Sequence, residues 1–246
     1  MNKFFRTKFY AANIISNFIT EKKNNNIILM YHDIQSECFN NLFTVSEKNF
    51  LNQINYINNT NYDVVNIDLN LNKKRNLSIT FDDGYINNYY KALPILLNYN
   101  LPATIFLTSS KIDKDPKFLT SKHIKEMSNL GINFGIHGHI HQSFTDLNDK
   151  ELKINILSSK KIIEDIIQKK VEVLSYPNGK FDNRVKEIMN DCNIKFGFCS
   201  KSSTYSYDNI DFDLYSIPRV CIWSLDNNFS FKNKLKGKWD YLLKNS

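Results

Sequence analysis

The chain of 246 residues has no run approaching the roughly 18 apolar residues that a bilayer-spanning helix needs. Its first stretch, MNKFFRTKFYAANIISNFITEKK, has neither a continuous apolar core nor a small-residue cleavage site, so no secretory signal is expected. Cysteine is sparse: Cys38, Cys192, Cys199 and Cys221 show no CxxC pairing and no zinc-finger spacing. They are expected to be free, mostly buried thiols in a reducing compartment, which favours the cytoplasm. Only seven glycines occur, with no linker, internal repeat or low-complexity insert, so a fibrous or disordered chain is excluded. Histidine numbers only five, and none follows His141.

What is present is ordinary for a globular domain, with 42% hydrophobic and 23% charged residues. The net charge of +7 permits an anionic partner, but the lysines are scattered rather than blocked, and no nucleic-acid motif accompanies them. No nucleic-acid partner is expected. The N-terminal stretch spaces Phe5, Phe9, Ala12, Ile15 and Ile19 by three or four, as in a basic amphipathic helix over residues 1–26. Such a helix either covers an apolar flank of its own domain or lies on an anionic membrane surface as a peripheral contact.

From Ile27 the pattern alternates. Strands are expected at Ile27–Tyr31, Tyr62–Ile67, Ser78–Phe81, Ala103–Thr108, Asn133–Ile136, Val171–Ser175, Lys195–Ser200 and Ser216–Ile222. Helices are expected from Ser46 to near Asn59, after Gly84, at Thr120–Asn129, Asp149–Gln168 and Asn183–Asn190, with helical spacing in the tail Phe231–Leu243. On the helix after Gly84, Ile86, Tyr89, Tyr90, Leu93 and Leu97 share one face, and Pro94 kinks or bounds it. This order predicts a single α/β domain over residues 27–246. Its parallel strands, about seven, point to a barrel more than to an open sheet.

Two stretches carry chemistry. In TFDDG, Asp82 and Asp83 end an apolar run, where α/β folds place their active groups. Adjacent residues on an extended strand point oppositely, so a turn at Asp82-Asp83, helped by Gly84, is needed to bring both to one site. Alone, the pair reads more readily as a helix cap. In HGHIH, His137 and His141 follow another strand and share a face if the backbone turns helically there, with His139 pointing elsewhere. Two imidazoles plus one carboxylate form an open three-ligand site for a hydrolytic metal. Zinc suits it, as do cobalt, nickel and iron.

TFDDG, then PATIFL, HxxxH and YPNG, together resemble the polysaccharide deacetylase family, over about Ile27 to Ile222. The resemblance implies a deformed (β/α) barrel, one divalent metal, and removal of acetyl groups from sugars. It assigns Asp82 as general base and Asp83, His137 and His141 as metal ligands. The oxyanion amide comes from the loop Ser175-Tyr176-Pro177-Asn178-Gly179, where the family commonly has an aromatic at the position of Asn178. Many members draw a general acid from a C-terminal histidine, which is missing here. The chain resembles a permuted branch that includes poly-N-acetylglucosamine deacetylases, in which an N-terminal YH motif fills the role, so His32 is the candidate acid. The third motif lacks the usual arginine, and Arg219 in SIPRV is the expected partner of Asp82. Tyr176 and Trp223 are either a sugar-stacking surface or core. His123 is expected at the surface.

The implied reaction is metal-assisted removal of an N-acetyl group from an amino sugar of a polysaccharide, glycolipid or glycan precursor. The setting would be the cytoplasm or the inner face of the membrane. The alternatives are a deformylase or other amide hydrolase on the same scaffold, and a silent glycan-binding relative. The last is disfavoured because Asp82 and all three ligands are retained.

Overall fold

The computed structural model of the chain describes residues 3–22, 26–37, 41–67, 75–206, 212–240 and 242. Its strands are β1 (Ile27–Tyr31), β2 (Asp33–Gln35), β3 (Thr44–Ser46), β4 (Asp63–Val64), β5 (Asn76–Phe81), β6 (Thr104–Leu107), β7 (Asn133–Ile136), β8 (Val173–Ser175), β9 (Phe196–Cys199), β10 (Ile217–Pro218) and β11 (Val220–Cys221). Its helices are α1 (Lys3–Ile15), α2 (Glu47–Asn58), α3 (Leu93–Asn98), α4 (Ser121–Asn129), α5 (Asp149–Ile167), α6 (Asn183–Asp191) and α7 (Asn228–Leu235).

Every strand pairing in the main sheet is parallel. β1 lies against β5, from Ile27 opposite Leu77 to Tyr31 opposite Phe81, and β6, β7, β8 and β9 follow in order. β10 and β11 are one run of chain broken at Arg219. The first half pairs with β9 and the second with β1, which nearly closes the sheet into a barrel. The short β4 pairs beside β5. Strands buried on both faces favour apolar runs, and β1, β5, β6 and β9 are buried throughout, with the Ser78 and Thr80 hydroxyls of β5 donating to Val65 O and Leu29 O. Alternation then sorts side chains: Ile27, Leu29 and Tyr31 join the large core with the helices, whereas Ile28 joins Phe106, Phe198 and Ile217.

Caps follow the residue types that the orphan N–H groups of a first turn require. Ser46 accepts from Asn49 N–H to open α2, and Asn148 and Glu151 form a reciprocal box at α5. His123 is used likewise: it completes the box with Thr120 at α4 and packs on the Tyr89 ring, a structural role.

Some expectations are corrected. The strand over 62–67 shrinks to Asp63–Val64. The helix after Gly84 starts late, because Tyr85 bridges Phe118 and Ile86 N–H donates to Lys117 O. A π-helical turn, Asn88–Ala92, precedes α3, where Pro94 sits at the tolerated start. Leu93 is buried but Tyr90 and Leu97 are exposed, so the five apolar residues do not form one face. The tail helix lies earlier, at Asn228–Leu235, and Leu243 falls outside the described residues. So does Cys38, whereas Cys192, Cys199 and Cys221 are free and buried. α1 packs on the barrel: Phe9 and Ala12 join Met30, Cys221, Trp223 and Trp239.

Candidate active site

Asp82 prolongs β5 by one ladder bond, its N–H donating to Tyr31 O at 2.9 Å, and its side chain is buried. Arg219 enters from the break in the closing strand, fully buried. It grips Asp82 through two parallel bonds, Nη1 to Oδ1 and Nη2 to Oδ2, both 2.7 Å. A planar guanidinium matches a carboxylate in this fork geometry. Arg219 also donates to Thr80 Oγ1, Cys199 O and Ser175 Oγ. Burial alone would push the Asp82 carboxyl up. The Arg219 guanidinium, helped by His137 and His32, outweighs it and holds the group well below the usual carboxylate range.

Asp83 adopts a left-handed backbone, φ 71°, which Asp tolerates better than most residues and which swings its side chain to the same mouth as Asp82. Neither aspartate caps a helix, since the next helical turn starts at Asn88 after Asn87. The cap reading therefore lapses. Asp83 Oδ1 lies 3.5 Å from His137 Nε2 and 3.4 Å from His141 Nε2. Ligand atoms of all three side chains fall within 4.8 Å of one another.

The segment that carries the histidines is not helical. Gly138, at φ 82°, turns it, and a Cβ there would stand 2.8 Å from Ile140 O. His139 departs to Ser109 Oγ, at 3.0 Å.

These donors fit a metal ion. His137 Nδ1–H donates to Ser175 O at 2.9 Å, which leaves the Nε2 lone pair facing Asp83. Donors set about 2.0–2.1 Å from a tetrahedral zinc stand about 3.3 Å apart, close to the two Asp83–histidine separations. Burial, with His137 nearby, lowers the pKa of His141, partly opposed by Asp83 and Asp82, and so favours the neutral imidazole a ligand requires.

Both clusters open into one cleft of about 640 Å³, lined also by His32, Phe43, Asn178 and Trp223. His32 follows β1, its ring against Phe43 at 4.6 Å, and its Nδ1 has no hydrogen-bond partner among the described residues. Burial lowers its pKa, against the opposing pull of Asp82 and Asp83.

In the YPNG loop, Tyr176 N–H donates to Phe198 O and Gly179 N–H to Tyr176 O, and Pro177 has no N–H. Asn178 is left-handed, φ 58°, and its side chain donates to Ser143 Oγ. Tyr176 and Trp223 are both buried in core clusters and both border the cleft. Tyr176 stacks on Phe181 with its hydroxyl on Tyr215 O, and Lys234 Nζ lies 3.9 Å over the Trp223 ring.

Sequence reasoning missed Ser175 as a functional side chain. Its hydroxyl bridges Arg219 and Asp82 and its carbonyl orients His137, so it joins the two halves of the site. The available signal was its place at a strand end next to Tyr-Pro.

Comparison with known proteins places the chain. A profile of the polysaccharide deacetylase family matches residues 70–197, more than half of the chain. YxkH of Bacillus subtilis is 28% identical over 209 residues, spanning 82% of this chain and 72% of its own. The poly-β-1,6-N-acetyl-D-glucosamine N-deacetylase of Staphylococcus aureus strain MSSA476 is 24% identical over 252 residues, 89% of this chain and 84% of that one. Among solved structures, the Streptococcus pyogenes deacetylase PplD in complex with acetate aligns with a TM-score of 0.76 at 24% identity. The alignment covers 89% of this chain and 99% of PplD. The chain belongs to the polysaccharide deacetylase family, close to its poly-N-acetylglucosamine deacetylase branch. It is a carbohydrate deacetylase, a hydrolase, on a (β/α)-barrel fold.

Proposed function

We propose that this chain is a metal-dependent hydrolase that removes an N-acetyl group from an amino sugar of a polysaccharide, glycolipid or glycan precursor. One observation carries the reading: an arginine-clamped carboxylate and an Asp/His/His group open into the same cleft. The name of the Staphylococcus aureus relative specifies poly-β-1,6-N-acetyl-D-glucosamine, which supports a glycan of N-acetylated amino sugars as the substrate class.

Asp83, His137 and His141 would hold one divalent ion, zinc or else cobalt, nickel or iron, because three protein donors leave an open position. When bound, such an ion lowers the pKa of water and polarises a carbonyl. Asp82 takes the proton of the attacking water, kept ionised and aimed by Arg219. The Asn178 amide is the oxyanion donor, since the other N–H groups of that loop are engaged or missing. His32 protonates the leaving amine as the acetyl C–N bond breaks, releasing acetate and a free amino sugar. Its lowered pKa makes it a stronger donor than free imidazole, although it carries the proton in only a minority of molecules at neutral pH.

Acetate release from a panel of N-acetylated glycans and lipid- or nucleotide-linked sugars tests the reading. Release is expected to vanish with chelator, return with added divalent ion and be lost in Asp83→Ala. Unchanged release after chelation, or full activity in Asp83→Ala, would remove the proposal. Formate release instead of acetate would move the chain to the deformylase alternative.

A further inference from the structure

Helix α1 carries two apolar faces. The inner one sets Phe9 and Ala12 into the cluster with Trp223 and Trp239, and Phe5 reaches the wall of the catalytic cleft. The outer one is left to solvent. With 3.6 residues per turn, Ala11, Ile14 and Ile15 fall opposite or well away from Phe9. Phe18 extends that surface from the 3₁₀ turn Ser16–Phe18. Ile14 is 64% exposed, Ile15 49% and Phe18 86%. Of the fifteen exposed large apolar side chains among the described residues, five lie in this segment, with Phe4 and Tyr10 completing the set. So dense a patch on one short element marks a surface that something covers.

Its charge indicates what. Residues 1–20 contain Lys3, Arg6 and Lys8 and no acidic residue. Arg6 and Lys8 are exposed and flank the apolar strip on either side at helical spacing. Two copies packed through this face would bring like charges together, whereas anionic headgroups neutralise them. At 13 residues α1 is about 20 Å long, short of the roughly 30 Å hydrocarbon core, and no helix among the described residues can cross a membrane.

We propose that the outer face of α1 lies in the headgroup region of an anionic phospholipid bilayer. Because the inner face of the same helix walls the cleft, docking sets the catalytic mouth beside the membrane, where lipid-linked or nascent surface glycans are found.

Sedimentation of the full chain with vesicles tests this. Equal parts of phosphatidylglycerol and phosphatidylcholine are compared with phosphatidylcholine alone, at low and high salt. Wild type is expected to sediment with the anionic vesicles and to be released by salt. Ile14→Asn/Ile15→Asn/Phe18→Ser should weaken binding by more than about tenfold. Arg6→Glu/Lys8→Glu should weaken it by about fivefold or more per charge, on anionic vesicles only. Both variants should keep wild-type acetate release from a soluble N-acetylated oligosaccharide, which shows that they fold and separates this test from that of the catalytic proposal. Wild type remaining in the supernatant with anionic vesicles would overturn the proposal, as would a triple variant that sediments like wild type. A wild-type dimer dissolved by the triple substitution, without vesicle binding, would assign the face to a second copy instead.

Discussion

Asp82→Asn is expected to lower kcat for acetate release by about 10²- to 10⁴-fold and, separately, to lower stability by about 3–5 kcal/mol. The two losses have different origins. Activity falls because an amide cannot take a proton from water. Stability falls because Arg219 is left as a fully buried charge whose fork has lost its carboxylate. Adding Arg219→Met removes that charge and sets an unbranched apolar chain near Phe106, whose ring lies 5.4 Å from the guanidinium carbon. The double variant should regain more than half of the lost stability in urea denaturation while staying inactive. Asp82→Asn retaining kcat within about threefold would end its role as base. A single variant as stable as wild type would show that the pair does not hold the barrel mouth together.

His32→Gln is expected to discriminate between leaving groups. On an N-acetylated sugar the departing amine must be protonated, so kcat should drop by about 10²- to 10⁴-fold. On an aryl acetate, whose phenolate leaves without a proton, the change should stay under about tenfold. The structural cost is small, because the ring nitrogen Nδ1 has no partner among the described residues to lose and the ring touches Phe43 at the cleft wall. Equal losses on both substrates would make His32 a positioning residue. No loss on the amide would transfer the proton donor to another group.

Several elements were readable from local chemistry. Ser46 announces a helix because a short polar side chain satisfies an orphan N–H group. IILMY announces a buried strand because a parallel sheet covered on both faces favours a continuous apolar run, whereas in NLSITF the buried Ser78 and Thr80 are accommodated by hydroxyl bonds to Val65 O and Leu29 O. The helix after Gly84 was misjudged for the converse reason. Its apolar spacing is helical, but contacts of Tyr85 and Ile86 with Lys117 and Phe118, some thirty residues on, hold that backbone outside a helix. For Tyr176 and Trp223 the aromatic type left core and cleft wall as alternatives, and the tertiary structure puts both rings in the core at the border of the cleft.

By itself, the sequence determined the order of strands and helices, the two acidic residues at one strand end and the histidines at another, because periodicity and turn chemistry are local. The family resemblance added the partnership of Arg219 with Asp82, two residues separated by 137 positions. Only the tertiary structure decided how these groups meet. Barrel closure splits the last strand at Arg219 and brings its guanidinium under Asp82. The left-handed turn at Asp83 converts two opposed carboxylates into neighbours serving different partners. Ser175 then ties Arg219, Asp82 and His137 together. Such convergence depends on contacts between residues far apart in the chain, and no local pattern encodes it.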